Sequence, residues 1–207
     1  MAQAEQGRQQ LLEFTANNAT QIPRYQHVKV IGRYDTTRQI LLDNMPSTDP
    51  AHSGQPGYRV LTPLMIESLG GSSIILVDRG WIVGTPDRKQ LPAIDVDTQP
   101  REVRGLLDEL PQPGIRAGDA GINKSTWPQL LNYPKADELK LLYSDQLLSP
   151  TILLDADQPD GYARFWSIDL GFIPERHIGY AIQWFGLALT LLIIYVAVNL
   201  KRADHIA

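Results

Sequence analysis

"GYRVLTPLMIESLGGSSIILVDRGWIV" runs from Gly57 to Val83, and its reading decides the fold. Two stretches rich in Val, Ile and Leu, residues 57–66 and 72–83, are divided by ESLGG, where Gly70 and Gly71 mark a turn. This is a strand pair. Working outward, HVKVIGRYD (27–35) and ILLDN (40–44) flank the polar run DTTRQ (35–39) and read as a second hairpin. REVRGLLDEL (101–110) is a further strand stopped by PQPG, and TILLDA (151–156) is another. KADELKLLYSDQLL (135–148) reads as a helix, residues 84–99 as a long loop, and the Gln-rich stretch to Asn18 as a helix or its frayed extension. Short strands with Gly and Pro punctuation predict a mainly β domain, an antiparallel sheet or a small barrel.

The 207 residues carry a net charge of −4, and no basic stripe relieves the acidity, which argues against a nucleic-acid partner. Cys is absent, so disulfides, thiolate zinc sites, C-x-x-C redox chemistry and covalent haem attachment are excluded together. Met1, Met45 and Met65 are scattered, which removes the usual soft Cu(I) site. His27, His52, His177 and His205 are likewise too far apart in sequence to suggest a protein-only metal centre.

The chain closes on PERHIGYAIQWFGLALTLLIIYVAVNLKR, residues 174–202. Residues 178–200 carry no formal charge; at 1.5 Å per residue they cover about 35 Å, enough for a hydrocarbon core of about 30 Å. Tyr180 and Trp184 fall at one interface, and Lys201 with Arg202 at the other. This predicts a transmembrane helix. The positive-inside rule puts the short tail in the cytoplasm and the main domain on the opposite, periplasm-like side. The first 18 residues lack the apolar core of an export signal, so either the orientation is reversed or a membrane segment precedes this sequence. Around the helix, Gly179, Gln183, Gly186, Thr190 and Ala197 form one stripe, while Trp184, Ala188 and Tyr195 form the opposite one, joined by His177.

Catalytic motifs are weak. Asp78-Arg79 reads as a structural ion pair before a Gly-Trp turn, and neither Ser72-Ser73 nor Ser125-Thr126 has the G-x-S-x-G elbow of an exposed nucleophile. SLGGSS lacks the Lys of a phosphate loop, and DADQPDG matches a calcium loop only loosely. The expectation is a protein that is not an enzyme. His177 stands apart: an imidazole at the membrane boundary, followed by Tyr180 and Trp184, could ligate haem iron or simply mark the interface.

Together these segments resemble a known family. DNMPSTDPAHSGQPGYRVLTPL, ILVDRGWI, VRGLL and HIGYAIQWFGLALTLLIIY follow the order and approximate spacing of the Surfeit-locus cytochrome oxidase assembly factors, over roughly residues 24–200. The resemblance implies a chaperone of respiratory-chain biogenesis, with two membrane helices flanking a domain on the periplasmic side of the bacterial inner membrane. It implies binding of haem a, with His177 as iron ligand beside Tyr180 and Trp184. The motif residues it carries over are Gly57, Tyr58, Thr62 and Pro63 on one strand, and Arg79, Gly80 and Trp81 on the next. Its implied partners are the oxidase core subunit, haem a synthase and membrane lipid; the alternative is a scaffold that acts without haem. The sequence departs from the family where Glu175-Arg176 replace Asn-Asn and where Met45 replaces Arg, and the family's first helix is absent. The expected organisation is a polar segment, 1–23, following a missing helix; a β-rich domain, 24–176; the membrane helix, 177–200; and a cytoplasmic tail, 201–207.

Overall fold

The computed structural model describes residues 10–47, 49–68, 71–85, 90–112, 118–166 and 174–203. The chain divides into two compact units, Met1–Trp166 and Ser167–Ala207. In the first, the strands are β1 (Leu12–Glu13), β2 (His27–Tyr34), β3 (Ile40–Pro46), β4 (Pro56–Ser68), β5 (Gly71–Val83), β6 (Arg101–Asp108), β7 (Gln129–Leu131) and β8 (Leu147–Leu154). Helix α1 (Ala136–Tyr143) precedes β8. The unit is mainly β and barrel-like, as expected. Five strands close a ring in the order β2-β6-β8-β5-β4, and β2 seals it by pairing with β4 at Arg33–Met65 and Tyr34–Leu64. One seam, β5–β8, runs parallel, so the barrel is mixed.

The central pair is β4–β5, antiparallel from Gly57–Val83 to Ser68–Gly71. Residues 74–81 of β5 are all buried because both of its faces are covered. Ile75 and Val77 pack with Val28, Val30, Leu64 and Ile152 of the ring. Ile74 and Leu76 pack on the opposite side against β3, β7 and α1 through Ile40, Leu131 and Leu139. Strands buried on both faces read as continuous apolar runs, which is what IILV displays.

Two local expectations are corrected. The expected hairpin of β2 and β3 does not form: both strands run antiparallel to β4, one after the other along the same edge. DTTRQ is therefore a looped-out corner and not a reversal. Pro63 of β4 sits opposite it and has no N–H to continue the ladder, but its carbonyl accepts from the Asp35 N–H at 2.9 Å. The Asp35 carboxylate accepts from the Thr37 N–H (2.9 Å) and from Arg38 Nε (2.6 Å), which closes the loop locally. The second correction concerns the stretch to Asn18. Within its described part, Leu12–Glu13 pair in parallel with Val28–Lys29, and Phe14 is buried in the ring's core. A strand followed by a turn stands where a helix was expected, because burying Phe14 needs the chain laid along β2.

In the second unit, helix α2 (Pro174–Ala203) contains one stretch long and apolar enough to cross a membrane, Ile178–Val196, with mean hydropathy 1.7 and none of it buried.

Candidate functional site

The motif residues on β4 and β5 come together around an irregularity in their ladder. Arg59 pairs with Trp81 and Leu61 with Asp78, so Arg79 and Gly80 face the single residue Val60. This is a β-bulge, and it inverts the side-chain alternation beyond it. Trp81 consequently joins Ile74 and Leu76 on the same face, where strict alternation would have turned it away. Gly80 is at φ +108°, and a Cβ there would lie 2.7 Å from the Ala163 carbonyl oxygen. A matching irregularity in β3 between Leu42 and Met45, with Asn44 at φ +55°, brings Met45 to the same cluster.

Trp81 is 3% exposed, and its indole N–H donates to the Met45 carbonyl at 3.0 Å. Gly57 makes room for the ring, since a Cβ there would collide with the indole and with the Ile82 carbonyl. Gly57→Ala is expected to displace the indole at a cost of about 1–3 kcal/mol. Tryptophan emission shifted to the red with a lowered melting temperature would check this; an unchanged spectrum would mean that Gly57 is not spacing Trp81. Tyr58, on the other face, packs with Leu41, Val60 and Ile94.

Arg79 is the largest fully buried side chain of the unit, 1% exposed. Its expected carboxylate partner is not there. Its Nε donates to the Asp160 carbonyl (2.7 Å), Nη1 to the Ile94 carbonyl (2.9 Å) and to Gln39 Oε1 (3.2 Å), and Nη2 to the Asp95 carbonyl (2.9 Å). Thr62 Oγ1 donates to the same Gln39 oxygen at 2.7 Å and accepts from Arg79 Nη1 at 3.3 Å. The guanidinium also lies over the Tyr162 ring, 5.1 Å from its centre. Burial holds its pKa below the usual arginine value, although Tyr162, Tyr34 and Asp160 nearby oppose this. Five donors in a planar fork suit a cage of carbonyls better than an ammonium would.

Asp78 turns to the opposite face and forms its ion pair with Arg59, not with its neighbour Arg79. Complete burial pushes the Asp78 carboxyl upward, although Arg59 and the Gly80 N–H (3.0 Å) oppose this. Arg59 in turn lies under the Trp166 ring (5.1 Å), whose indole N–H donates to the Leu154 carbonyl at 2.8 Å. Trp81 and Ala163 exchange backbone hydrogen bonds of 2.8 and 3.0 Å, and Tyr162 N–H donates to the Arg79 carbonyl at 2.7 Å. The motif residues thus clamp two irregular segments, around residues 94–95 and 160–166, onto β5. Asp78 and Arg79 are both sealed, and the arrangement holds chain.

DADQPDG belongs to the same clamp. Asp155 faces His27 Nε2 at 2.5 Å, Asp157 pairs with Arg104 at 3.1 Å and Asp160 pairs with Arg101. Arg164 donates to the carbonyls of Ala156 (3.1 Å) and Gln158 (2.9 Å). Each carboxylate faces a basic side chain, so the segment is built as an ion-paired strap and not as a calcium loop.

His177, Tyr180 and Trp184 belong to the second unit. They occupy positions i, i+3 and i+7 of α2, which share one helical face. Tyr180 and Trp184 are 62% and 68% exposed. The candidate residues therefore fall into two groups on separate units. The sequence reading had not singled out Gln39, Arg59 or Trp166. None carried a motif signal, because their roles arise from partners 12 to 107 positions away and from backbone carbonyls that any residue supplies.

A model of the SURF1 family matches residues 1–189. A SURF1-like protein of Rickettsia felis is 28% identical over 175 residues, covering 83% of this chain and 72% of its own length. A SURF1-like protein of Rickettsia bellii is 27% identical over 173 residues, covering 83% and 67%.

Proposed function

Since the chain belongs to the SURF1 family, a family of cytochrome oxidase assembly factors, we propose that it is a membrane-anchored, non-enzymatic factor that holds haem a while the oxidase core subunit matures. One observation carries the reading: the apolar stretch Ile178–Val196 has no protein cover, and it begins directly after His177. An apolar helix with no cover requires lipid or a neighbouring helix. A histidine in its first turn would lie at the interface, where the imidazole could bind iron while Tyr180 and Trp184 flank the porphyrin. Bound haem would supply the redox-active iron; the chain's part is an axial nitrogen and an aromatic face. The partners are the core subunit and haem a synthase, in the bacterial inner membrane.

The test is an absorption spectrum of the detergent-purified protein, co-expressed with the enzymes that make haem a. A Soret band at near-stoichiometric haem supports the reading. Haem-free protein that still co-purifies with the core subunit would support a scaffold acting without haem. The barrel is assigned to the periplasmic face because Lys201 and Arg202 mark the cytoplasmic end of the helix. A reporter active only outside the cytoplasm, fused at Gln112 of the full-length protein, should be active, and one fused after Ala207 silent. The reverse pattern would remove the periplasmic assignment.

A further inference from the structure

The ring closes at a short seam, and a cleft opens beside it. Among the described residues, β4 pairs with β2 only at Arg33 and Tyr34, and β1 covers the same edge of β2 only at Val28 and Lys29. Val30, Ile31 and Gly32 lie between the two pairings, and Ile66 and Glu67 of β4 lie beyond the seam. Gly32 stands where the seam draws the strands together: a Cβ there would lie 2.7 Å from the Met65 carbonyl oxygen. The cleft beside it has a volume of about 580 Å³, within the range of small-molecule sites.

Floor and rim differ in chemistry. Phe14, Val30 and Ile66, which belong to the ring's core, form the floor. Met65 and Ile31 add aliphatic wall, and Ile31 is 68% exposed. Charge is confined to the rim, where Arg33, Glu13 and Glu67 are all exposed. Among the described residues, no ion pair or side-chain hydrogen bond engages any of these three. The registers set Lys29 beside Glu13 and Glu102 beside Ile31, so the wider rim also carries both signs.

This arrangement suits an amphiphile. A wholly polar solute would leave the apolar floor without a partner, and a plain hydrocarbon would gain nothing from the rim. An anion would answer Arg33 but meet two carboxylates; a cation would answer the carboxylates but meet Arg33. A head carrying both signs answers all three. We propose that the cleft between β1, β2 and β4 binds a zwitterionic amphiphile of the phosphatidylethanolamine class. Its phosphate would pair with Arg33 and its ammonium with Glu13 or Glu67, while part of an acyl chain lies on Phe14, Val30 and Ile66. The ammonium has N–H donors for a carboxylate, which a choline head lacks. Naming the bilayer as the source of the lipid rests on the membrane anchoring proposed above.

The experiment uses the full chain in maltoside detergent and native mass spectrometry. Lipids with identical acyl chains and ethanolamine, choline or glycerol heads are titrated in turn. The ethanolamine lipid should bind about tenfold more tightly than the other two. A diazirine in its acyl chain should crosslink to peptides containing Ile31 or Ile66, and also to α2. Arg33→Gln should abolish the barrel crosslinks and leave those on α2, and Glu67→Gln should reduce the preference for ethanolamine over choline. Equal binding of the three lipids, a preference for the glycerol head, or crosslinks confined to α2 overturns the proposal. Because the lipid series and the crosslink map use the wild-type protein, they decide even if a variant folds poorly. Crosslinks on the barrel with none on α2 would keep the cleft and remove the membrane anchoring instead. His177→Ala should bind the lipid as the wild type does, which separates this site from the haem reading.

Discussion

His177→Ala, co-expressed with the haem a biosynthetic enzymes, is expected to lose most of its bound haem at unchanged expression. Its Soret band should weaken or shift, because the substitution would remove the imidazole nitrogen proposed as iron ligand and leave the surrounding apolar helix alone. The helix itself should persist. His177 sits in its first turn, ahead of Ile178–Val196, the stretch long and apolar enough to cross a membrane. Two neighbouring substitutions calibrate the result. Trp184→Phe retains an aromatic surface and should weaken haem binding less. Gln183→Leu lies on the opposite stripe and should leave the spectrum unchanged. Equal haem content in His177→Ala and wild type would defeat the ligand assignment. The histidine would then only mark the membrane boundary, and the scaffold reading would take over.

Trp81→Ala should destabilise the barrel unit by about 3–5 kcal/mol, the usual cost of emptying a buried aromatic site. In a unit of this size that corresponds to a fall in melting temperature of roughly 10 °C. The cavity cannot close easily. Its walls are held by the Met45 carbonyl that the indole bonds and by a β4 strand that places Gly57 against the ring. Backbone hydrogen bonds between Trp81 and Ala163 survive the substitution, so residues 160–166 should stay attached at low temperature and detach early on heating. Limited proteolysis near Arg164 during a temperature ramp, followed by mass spectrometry, reads this directly. Oxidase maturation should fall in proportion to the protein lost. Full protein abundance with failed maturation would make Trp81 a binding residue and refute the packing role.

Strands were legible in the sequence wherever a β-branched or aliphatic run met a glycine or proline stop. That is why β4, β5 and β6 lie where the pattern predicts them, whereas the helix expected over 135–148 ends at Tyr143 and Leu147–Leu148 already belong to β8. The periodicity is local, so it survives in one dimension. The same locality misled at DTTRQ: the corner and a true hairpin turn share the same polar residues, and only the position of Pro63 on the neighbouring strand distinguishes them. Phe14 was hidden in a Gln-rich stretch, because a single buried aromatic has no period to reveal it.

The candidate site divides in the same way. An uncharged run at the C-terminus determines a membrane-length helix by itself, since hydrogen bonding within a helix involves no other part of the chain. His177, Tyr180 and Trp184 share a face by spacing alone. The partners of Asp78 and Arg79 were not determined in that way. Adjacent in sequence, they were read as a pair. The strand turns them to opposite faces, and Arg59 and a cage of carbonyls take over as their partners. A backbone carbonyl carries no sequence signature, and a bulge that inverts alternation depends on what the neighbouring strand offers. Composition and period could therefore announce the barrel and a membrane-length helix, whereas burial of the arginine and the face chosen by Trp81 had to await the closing of the ring.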